Sequence, residues 1–400
     1  MKFKAFGIAL LALALAFVLN AYARPRPQAD HAEKPSAAAP AHKAAMKSLK
    51  LVGAILVPGN PIRFDISWVD QARGRYYLAE AGNAAVDVVD AESDLYVGRI
   101  TGFHGLPAAD DPCGRIEGMG PNGVMVTPDN HLWADDAHGT VKVFDLSGAK
   151  PPFTGLAPVA TISTGATCRA DELGFDPKDH VVVVGNPEEH PPYASIISSD
   201  APYEVFSKIP FPDASGFEQP VWDPGLKGGR MLVTVPSKGD GSMIAVLDLS
   251  KPKAPVVETT YSTPGCGSGL ALGPAQRLLV GCSMGKPLII VNGLTGKIIT
   301  TVADTHGADE VWYNPADNLF YAPAGQNPTP TLSVIDAETG KLVINLPAGP
   351  GSHSVAAFSG NHHVFVPIAI PSQASPTDAC NVLFGLPEKQ GCIAVYAPGK

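Results

Sequence analysis

The stretch PNGVMVTPDNHLWADDAHGTVKVFD, from Pro121 to Asp145, decides the fold because altered copies of it recur along the chain. It holds three short runs of strand-forming residues, separated by turns rich in Pro, Asp, Asn and Gly. Related segments begin at Arg63, Arg169, Phe217, Cys266, Gly307 and Gly351. The seven copies are spaced at roughly 40 to 60 residues, which is the length of a four-stranded unit in a circular β architecture.

The two ends of the repeat region indicate how the circle closes. The last copy stops after its third strand, GCIAVYAPG, whereas the segment LKLVGAILVPG, from Leu49, precedes the first copy as a strand without a partner. Pairing these two strands would complete the last four-stranded unit and remove an open sheet edge. We therefore predict an all-β chain, a seven-bladed β-propeller over residues 48–400, with the N-terminal strand closing the last blade.

The N-terminal 47 residues have a different composition. Residues 1–23 have a basic start, an apolar run and small residues at Ala21 and Ala23, the pattern of a cleaved signal peptide. Residues 24–47 are rich in Ala and Pro, which predicts a disordered linker. We expect a periplasmic or secreted protein that has no membrane segment after signal cleavage. A net charge of −9 argues against nucleic acid as a partner.

Six cysteines in a chain predicted to be exported indicate disulfide bonds. Cys266 and Cys282 bracket one hairpin, Cys380 and Cys392 bracket a short loop, and Cys113 and Cys168 precede the first strands of adjacent copies. We expect no free thiol, with Cys266 bonded to Cys282 and Cys380 bonded to Cys392.

The repeated segments resemble the YVTN-type repeat propellers of bacterial exported proteins. The resemblance covers nearly the whole chain after residue 47, and it implies the architecture more than an activity. Propellers of this kind host enzymes, binding proteins and accessory subunits alike.

The first strand of a propeller blade is the innermost, so residues that open these strands gather at one mouth of the central channel. Aligning the copies gives one set of such residues: Phe64, Asn122, Asp171, Glu218, Ser268, Asp309 and His353. The next set is Asp65, Gly123, Glu172, Gln219, Gly269, Glu310 and Ser354. The sequence therefore predicts a ring that is rich in carboxylates.

Carboxylates that converge in a narrow mouth repel one another unless a cation is present. We predict a divalent metal held by Glu218, Asn122, Asp171, Asp309 and His353. Oxygen ligands favour Ca²⁺, Mg²⁺ or Mn²⁺, and the histidine favours Mn²⁺ or Zn²⁺. The alternative is structural: these side chains cap strand ends, bond backbone amides or face channel water.

EQPVWDP, from Glu218, and PNGVMV, which contains Asn122, also resemble first strands of gluconolactonase and regucalcin-type propellers. That resemblance implies metal-ligand roles for Glu218 and Asn122 and a lactonase-like activity. Those relatives have six blades, whereas this sequence predicts seven.

Acid–base chemistry at the mouth would fall to His306, His353 and Glu310, because His306 precedes Asp309 by three residues and His353 opens the last inner strand. The leading hypothesis is a metal-dependent enzyme that acts on a small oxygenated molecule at the channel mouth, by lactone or ester hydrolysis or by lyase chemistry. The alternatives are a non-catalytic periplasmic propeller that binds a ligand or a protein partner, and an accessory subunit of a periplasmic oxidoreductase.

Overall fold

The structure, a computed structural model, describes residues 49–59, 61, 63–237, 241–370 and 378–399. The predicted signal peptide, residues 1–23, and the predicted linker, residues 24–47, lie outside the described residues. Both therefore stay predictions.

Seven antiparallel four-stranded sheets form a ring, which confirms the seven-bladed β-propeller. The strands of blades 1 to 3 are β2 (Phe64–Asp70), β3 (Arg75–Glu80), β4 (Ala85–Asp90) and β5 (Leu95–Thr101); β6 (Val124–Val126), β7 (His131–Asp136), β8 (Thr140–Asp145) and β9 (Ala160–Ser163); and β10 (Asp171–Asp176), β11 (Val181–Asn186), β12 (Tyr193–Ser198) and β13 (Val205–Pro210). Within each of these blades the strands pair in chain order, so each of these repeats of the sequence is one blade.

Blades 4 to 6 repeat this plan. Their strands are β14 (Pro220–Asp223), β15 (Arg230–Val235), β16 (Met243–Asp248) and β17 (Val256–Ser262); β18 (Leu270–Leu272), β19 (Arg277–Val280), β20 (Ile289–Asn292) and β21 (Ile298–Thr301); and β22 (Trp312–Asn314), β23 (Leu319–Ala324), β24 (Thr331–Asp336) and β25 (Lys341–Pro347). The innermost strands of these three blades are only three or four residues long.

Blade 7 is built from both ends of the repeat region, as the sequence predicts. It contains β26 (Ala356–Phe358), β27 (His363–Ile368), β28 (Gly391–Ala397) and, as its outer strand, β1 (Lys50–Val57). In the antiparallel pairing of β1 with β28, Leu56 lies opposite Cys392 and Leu51 lies opposite Tyr396. The N-terminal strand therefore covers an edge that blade 7 would otherwise expose.

The hydrophobic core lies between blades. One cluster joins Phe358 and Phe365 of blade 7 to Tyr76 and Leu78 of blade 1, so the first and last repeats share a core. Burying a large apolar side chain stabilises the fold by about 1.5–3 kcal/mol. Because every inter-blade interface contains several such side chains, packing between blades holds the ring together.

Helices are few in the described residues: α1 (Gly114–Glu117), α2 (Ala379–Phe384) and two 3₁₀ turns, Ala81–Asn83 and Pro274–Gln276. None of the described helices is long and apolar enough to cross a bilayer. All six cysteines form disulfide bonds, which confirms that prediction. The pairs are Cys113–Cys168, Cys266–Cys282 and Cys380–Cys392.

Candidate functional site

The first strands of the blades begin at one end of the central channel, where the adjoining residues form a charged mouth with a cavity of about 110 Å³. Six carboxyl groups, three cationic groups and one amide line it: Asp65, Asp171, Glu172, Glu218, Asp309, Glu310, Arg63, Arg169, His353 and Gln326. The two aligned sets of the sequence contain all of these except Arg63, Arg169 and Gln326. The repeats thus bring the carboxylates together, with cations that the alignment did not include.

Asn122 and Gln219, two uncharged polar members of the sets, bond the backbones of neighbouring blades. The Asn122 amide donates to the carbonyl oxygens of Met119, at 3.0 Å, and of Ala170 in the next blade, at 3.3 Å. The side-chain oxygen of Gln219 accepts a hydrogen bond from the backbone N–H of Leu270 at 2.8 Å. Asn122 does not line the charged cavity. For these residues, the observed contacts agree with the structural alternative from the sequence, in which the side chains bond backbone groups.

Arg169 is the main cation of the charged mouth. Its guanidinium reaches Asp65 in blade 1 at 3.0 Å and Asp171 at 2.9 Å, and the side chain is only 14% exposed. Burial opposes the charge on Arg169, but Asp171 and Asp65 more than offset this and raise its pKa. A fixed guanidinium thus neutralises two of the six carboxyl groups.

His353 has acceptors at both ring nitrogens. Nδ1 lies 2.7 Å from the carbonyl oxygen of Gly351, Nε2 lies 3.3 Å from Asp65, and the ring stacks on Phe64 with centroids 4.9 Å apart. Burial disfavours the imidazolium, yet the hydrogen bond to Asp65 and the Asp65 charge raise the His353 pKa to about 9. In this arrangement His353 is a positively charged donor rather than a lone-pair ligand.

Glu172, Glu218 and Glu310, the glutamate trio, form no ion pair among the described residues, and only Glu218 has its pKa lowered by the charge of Arg169, against the larger effect of burial. One carboxylate oxygen of each lies within 4.8 Å of one from each of the other two. Glu310 is 4% exposed, and its Oε2 atom has no hydrogen-bond partner among the described residues. Burial raises the pKa of Glu310 to about 8, and burial with the neighbouring acids raises those of Glu172 and Glu218 well above the usual range.

The pKa values of the three aspartates diverge because their partners differ. Burial opposes ionisation of Asp65, but the hydrogen bond from His353 and the charge of Arg169 lower its pKa to about 2. Burial raises the pKa of Asp171 to about 7 in spite of Arg169, and burial also raises that of Asp309. The Asp65 side of the mouth is therefore ionised and paired, whereas the trio side retains protons or requires a cation.

The Glu172 backbone is strained. The pairing of β10 with β11 shifts register between Asp171 and Leu173, and Glu172 at this bulge has a φ of 69°. A residue with a side chain in the left-handed region costs on the order of 1–3 kcal/mol. The fold tolerates this strain where Glu172 faces the other two members of the trio.

In blade 2 the aligned place of Asp65, Glu172 and Glu310 is occupied by Gly123, which has no side chain. The carboxyl group of a residue from another strand lies against Gly123 instead. A Cβ on Gly123 would clash with Asp135 of β7, whose Oδ1 accepts the Gly123 N–H. Burial raises the pKa of Asp135 well above its usual value, and Asp171 adds to this. Aligning first strands alone misses Asp135, because it comes from a second strand.

A second cavity, of about 130 Å³, adjoins the charged mouth. His306, Asp309 and His353 all line it, and Asp309 and His353 line both cavities. Ser268 of the first aligned set also lies here. The structure thus brings His306 and His353 to one space next to Glu310, although His306 does not border the charged cavity itself.

The other end of the channel is apolar. Trp68, Trp222, Trp312 and Tyr313 line a cavity of about 480 Å³ with aliphatic residues of the first strands. These tryptophans also pack on the cores between blades, and Trp68 and Trp312 meet edge to face with ring centroids 5.4 Å apart. The aromatic residues therefore serve the core and line the channel.

Comparisons with known proteins show the fold. The sequence matches no protein-family model and no curated protein. One chain of a solved structure described as "Crystal Structure of Mitotic Checkpoint Complex" is similar, with a TM-score of 0.60, 15% identity and coverage of 97% of this chain and 99% of that chain. A chain of "Structure of U3-55K" is similar with a TM-score of 0.60, 9% identity and coverage of 86% and 99%. At these identities the similarity shows the propeller fold alone.

The two arginines of the mouth belong to a short sequence pattern that the two aligned sets do not include. Arg63 and Arg169 each stand two residues before an aspartate of the mouth, Asp65 and Asp171, so an Arg-x-Asp pattern occurs in two of the seven repeats. Extending the alignment by two residues toward the N-terminus finds both arginines. Gln326 comes from a loop after a second strand, and the alignment of first strands does not include that loop.

Proposed function

We propose that the charged mouth binds a divalent cation through the carboxylates of Glu172, Glu218 and Glu310, and that the protein is an exported hydrolase of small esters or lactones. The observation that carries the proposal is the glutamate trio, whose oxygens lie within 4.8 Å of one another while Glu310 Oε2 has no partner in the described part of the chain. A buried carboxylate oxygen without a hydrogen bond is costly, and a cation would satisfy it.

The donor set suits a hard cation. Three carboxylate oxygens with room for water are the ligands that Ca²⁺, Mg²⁺ and Mn²⁺ take. Arg169 makes its ion pairs with Asp65 and Asp171, and its charge lowers the pKa of Glu218 by less than burial and the neighbouring acids raise it. Asp171, Asp309, Asn122 and His353, which the sequence also proposed as ligands, are better placed to shape the mouth in this arrangement. Glu218 keeps the ligand role that the sequence gave it.

The neighbouring cavity would hold the substrate. It is small, about 130 Å³, and polar groups from His306, Asp309 and His353 border it. A bound cation would polarise a carbonyl oxygen or a water molecule. His306 would take a proton from the attacking water and give it to the leaving oxygen. His353, whose two N–H groups already face Gly351 and Asp65, would stabilise the oxyanion through its positive charge.

Metal titration of the mature protein tests the cation. We expect one equivalent of Ca²⁺, Mg²⁺ or Mn²⁺ to bind to the oxidised protein, and Glu218→Gln to weaken binding by about tenfold or more. Glu204→Gln is the matched control, because Glu204 is exposed and pairs with Lys253 on the surface. If neither the parent nor Glu218→Gln binds metal, and the variant is the more stable of the two, the trio is an empty acidic cluster and the proposal fails.

A panel of short esters, lactones and elimination substrates tests the reaction. We expect turnover that requires the metal, and we expect both His353→Gln and His306→Gln to lower kcat. A protein that binds the cation but turns over no member of the panel would retain the metal site and lose the hydrolase assignment.

The alternative is a propeller that binds a ligand or another protein without catalysis, including a subunit of a periplasmic oxidoreductase. Two observations favour it: both nitrogens of His353 already have acceptors, and one structural relative belongs to a protein complex. The three disulfides support an extracytoplasmic site of action, since such bonds persist in oxidising compartments. Partner capture that survives Glu218→Gln and His353→Gln, together with an absence of turnover, would support this alternative.

A further inference from the structure

A second group of metal-ligand side chains lies outside the channel. His104 and Asp111 come from the long connection between β5 and β6, and His138 comes from the turn between β7 and β8. One ligand atom of each lies within 4.8 Å of those of the other two. These three residues, the histidine cluster, share no member with the charged mouth.

Each residue of the histidine cluster is held by contacts that leave a ligand atom free to point inward. Asp111 Oδ1 accepts the backbone N–H of Cys113 at 2.9 Å, so Oδ2 remains. His138 Nδ1 lies 3.2 Å from the carbonyl oxygen of Thr167, so Nε2 remains. The backbone N–H of His104 donates to Asp136 at 3.1 Å, which fixes the chain beneath its ring.

The contact of His138 with Thr167 assigns one of the two ring nitrogens. A carbonyl oxygen only accepts hydrogen bonds, so Nδ1 carries a proton and Nε2 is the atom that faces Asp111 Oδ2, at 3.4 Å. A proton or a metal ion between Nε2 and Oδ2 would satisfy both atoms. Metal-bound histidines commonly donate their second ring N–H to a carbonyl in this way.

The spacing fits a tetrahedral ion. Two ligands at about 2.0–2.1 Å from a tetrahedral Zn²⁺ are separated by about 3.3 Å. His138 Nε2 and Asp111 Oδ2 already have nearly this separation, 3.4 Å. The His104 ring meets the His138 ring edge to face at 4.8 Å between centroids, and its exposed side chain has room to turn toward the same point.

We propose that His104, Asp111 and His138 form a surface site for Zn²⁺ or a similar transition-metal ion, independent of the cation proposed for the glutamate trio. Two imidazoles and one carboxylate are ligands typical of Zn²⁺, Cu²⁺ and Ni²⁺, whereas Ca²⁺ and Mg²⁺ prefer oxygen alone. Three protein ligands leave at least one coordination position for water or an incoming group.

The position of the cluster gives the ion a structural consequence. The connection that contains His104 and Asp111 also contains Cys113, which is bonded to Cys168, the residue before Arg169. The backbone N–H of Arg169 donates to the carbonyl of Glu117 in α1 at 2.8 Å. A bound ion would therefore fasten this connection to the β7–β8 turn, beside the backbone that carries the central arginine.

Zinc titration of the oxidised, EDTA-dialysed protein tests the site in the presence of excess Ca²⁺, which occupies the glutamate trio if that proposal holds. We expect one equivalent of Zn²⁺ to bind, and His138→Asn or Asp111→Asn to reduce its affinity by about tenfold or more. Asparagine is chosen at 138 because His138 has a φ of 53°, a left-handed conformation that asparagine tolerates. Unchanged melting temperatures in EDTA would show that the variants fold.

His180→Asn is the matched control. His180 also has a φ of 53° and faces a carboxylate, Asp200, at 3.5 Å, but no third ligating side chain joins that pair among the residues that the structure describes. The control should bind Zn²⁺ as the parent does, and so should Glu218→Gln. If His138→Asn retains the full equivalent of Zn²⁺ at the parent's affinity, or if the parent binds none, the inference is wrong.

The absorption of Co²⁺ gives an independent readout. Substituted into a site with imidazole ligands, Co²⁺ should show visible bands that disappear in His138→Asn and remain in His180→Asn. Bands that persist in His138→Asn would contradict the ligand assignment.

Discussion

The two ends of the central channel are both formed by the inner strands of the blades, and they share Glu172 but differ in most of their lining. At the end where the first strands begin, six carboxyl groups, two arginines and His353 surround a cavity of about 110 Å³. Farther along the same strands, Trp68, Trp222 and Trp312 with aliphatic neighbours surround a cavity of about 480 Å³. A propeller needs apolar inner strands to pack its blades, whereas it has no structural need for the carboxylates.

This difference shows that folding stability alone accounts for one end of the channel and not for the other. The apolar end buries surface and contributes to the cores between blades. The charged end contains the left-handed Glu172 and carboxyl groups whose pKa values burial raises. Strain and buried charge that oppose folding concentrate at functional sites, which is why the proposed function lies at the charged mouth.

Replacing Arg169 should have the largest effect on the free energy of unfolding. Arg169→Met leaves Asp65 and Asp171 without their shared cation, so we expect a loss of about 3–5 kcal/mol in the free energy of unfolding near neutral pH. Denaturant titration in metal-free buffer measures it. Arg230→Met is the control, because Arg230 also joins two carboxylates, but Asp248 and Glu258 are 26% and 24% exposed, whereas Asp65 and Asp171 are 15% and 8% exposed. Solvent screening of the more exposed partners lowers the expected loss to about 1 kcal/mol. Equal losses in the two variants would remove the contrast between the mouth and this more exposed pair.

Shortening the Trp312 side chain at the apolar end of the channel should have an intermediate effect on the free energy of unfolding. Trp312 packs on Trp68 and on the cores of two interfaces while remaining half-buried, so we expect Trp312→Ala to cost about 2–3 kcal/mol. Trp312→Phe should cost less than half of this, because the indole N–H has no hydrogen-bond partner among the described residues. Urea unfolding of both variants measures the difference. A Trp312→Ala protein as stable as its parent would show that this end of the channel is loosely packed.

The smallest expected effect is a pH-dependent change in stability caused by Glu80. Glu80 ends β3 outside the mouth, where burial, with the nearby Asp87, raises its pKa to about 8 from 4.5. In the unfolded chain the group loses its proton at lower pH, so its burial costs stability increasingly from pH 4.5 to pH 8. Glu80→Gln should match the parent near pH 4.5 and exceed it by about 1–2 kcal/mol above pH 8. Thermal melts at several pH values test this; a constant difference would mean that Glu80 keeps its charge in the fold.

Most of the architecture could be read from the repeats. Each copy contains its own strands and turns, so the seven blades and the Cys266–Cys282 and Cys380–Cys392 bonds followed from patterns within tens of residues. The closure of β1 against β28 followed from comparing the strands at the two ends of the repeat region. The alignment also brought most of the mouth residues together, because equivalent positions in a ring of repeats face the same axis. It could not assign roles: Asn122 and Asp171 occupy the same aligned place, yet one bonds backbone carbonyls and the other meets a guanidinium.

The sequence by itself therefore determined the number of blades, their order and the residues that open each inner strand, since hydrophobic period and turn chemistry act locally. Only the tertiary structure decided which charges meet. Arg169 joins Asp65 across 104 residues of chain, and His104 and Asp111 approach His138 from a different connection. Such contacts depend on how the blades are oriented about the axis. Ion pairs and hydrogen bonds act strongly only over a few ångströms, and the orientation of the blades determines which side chains come that close.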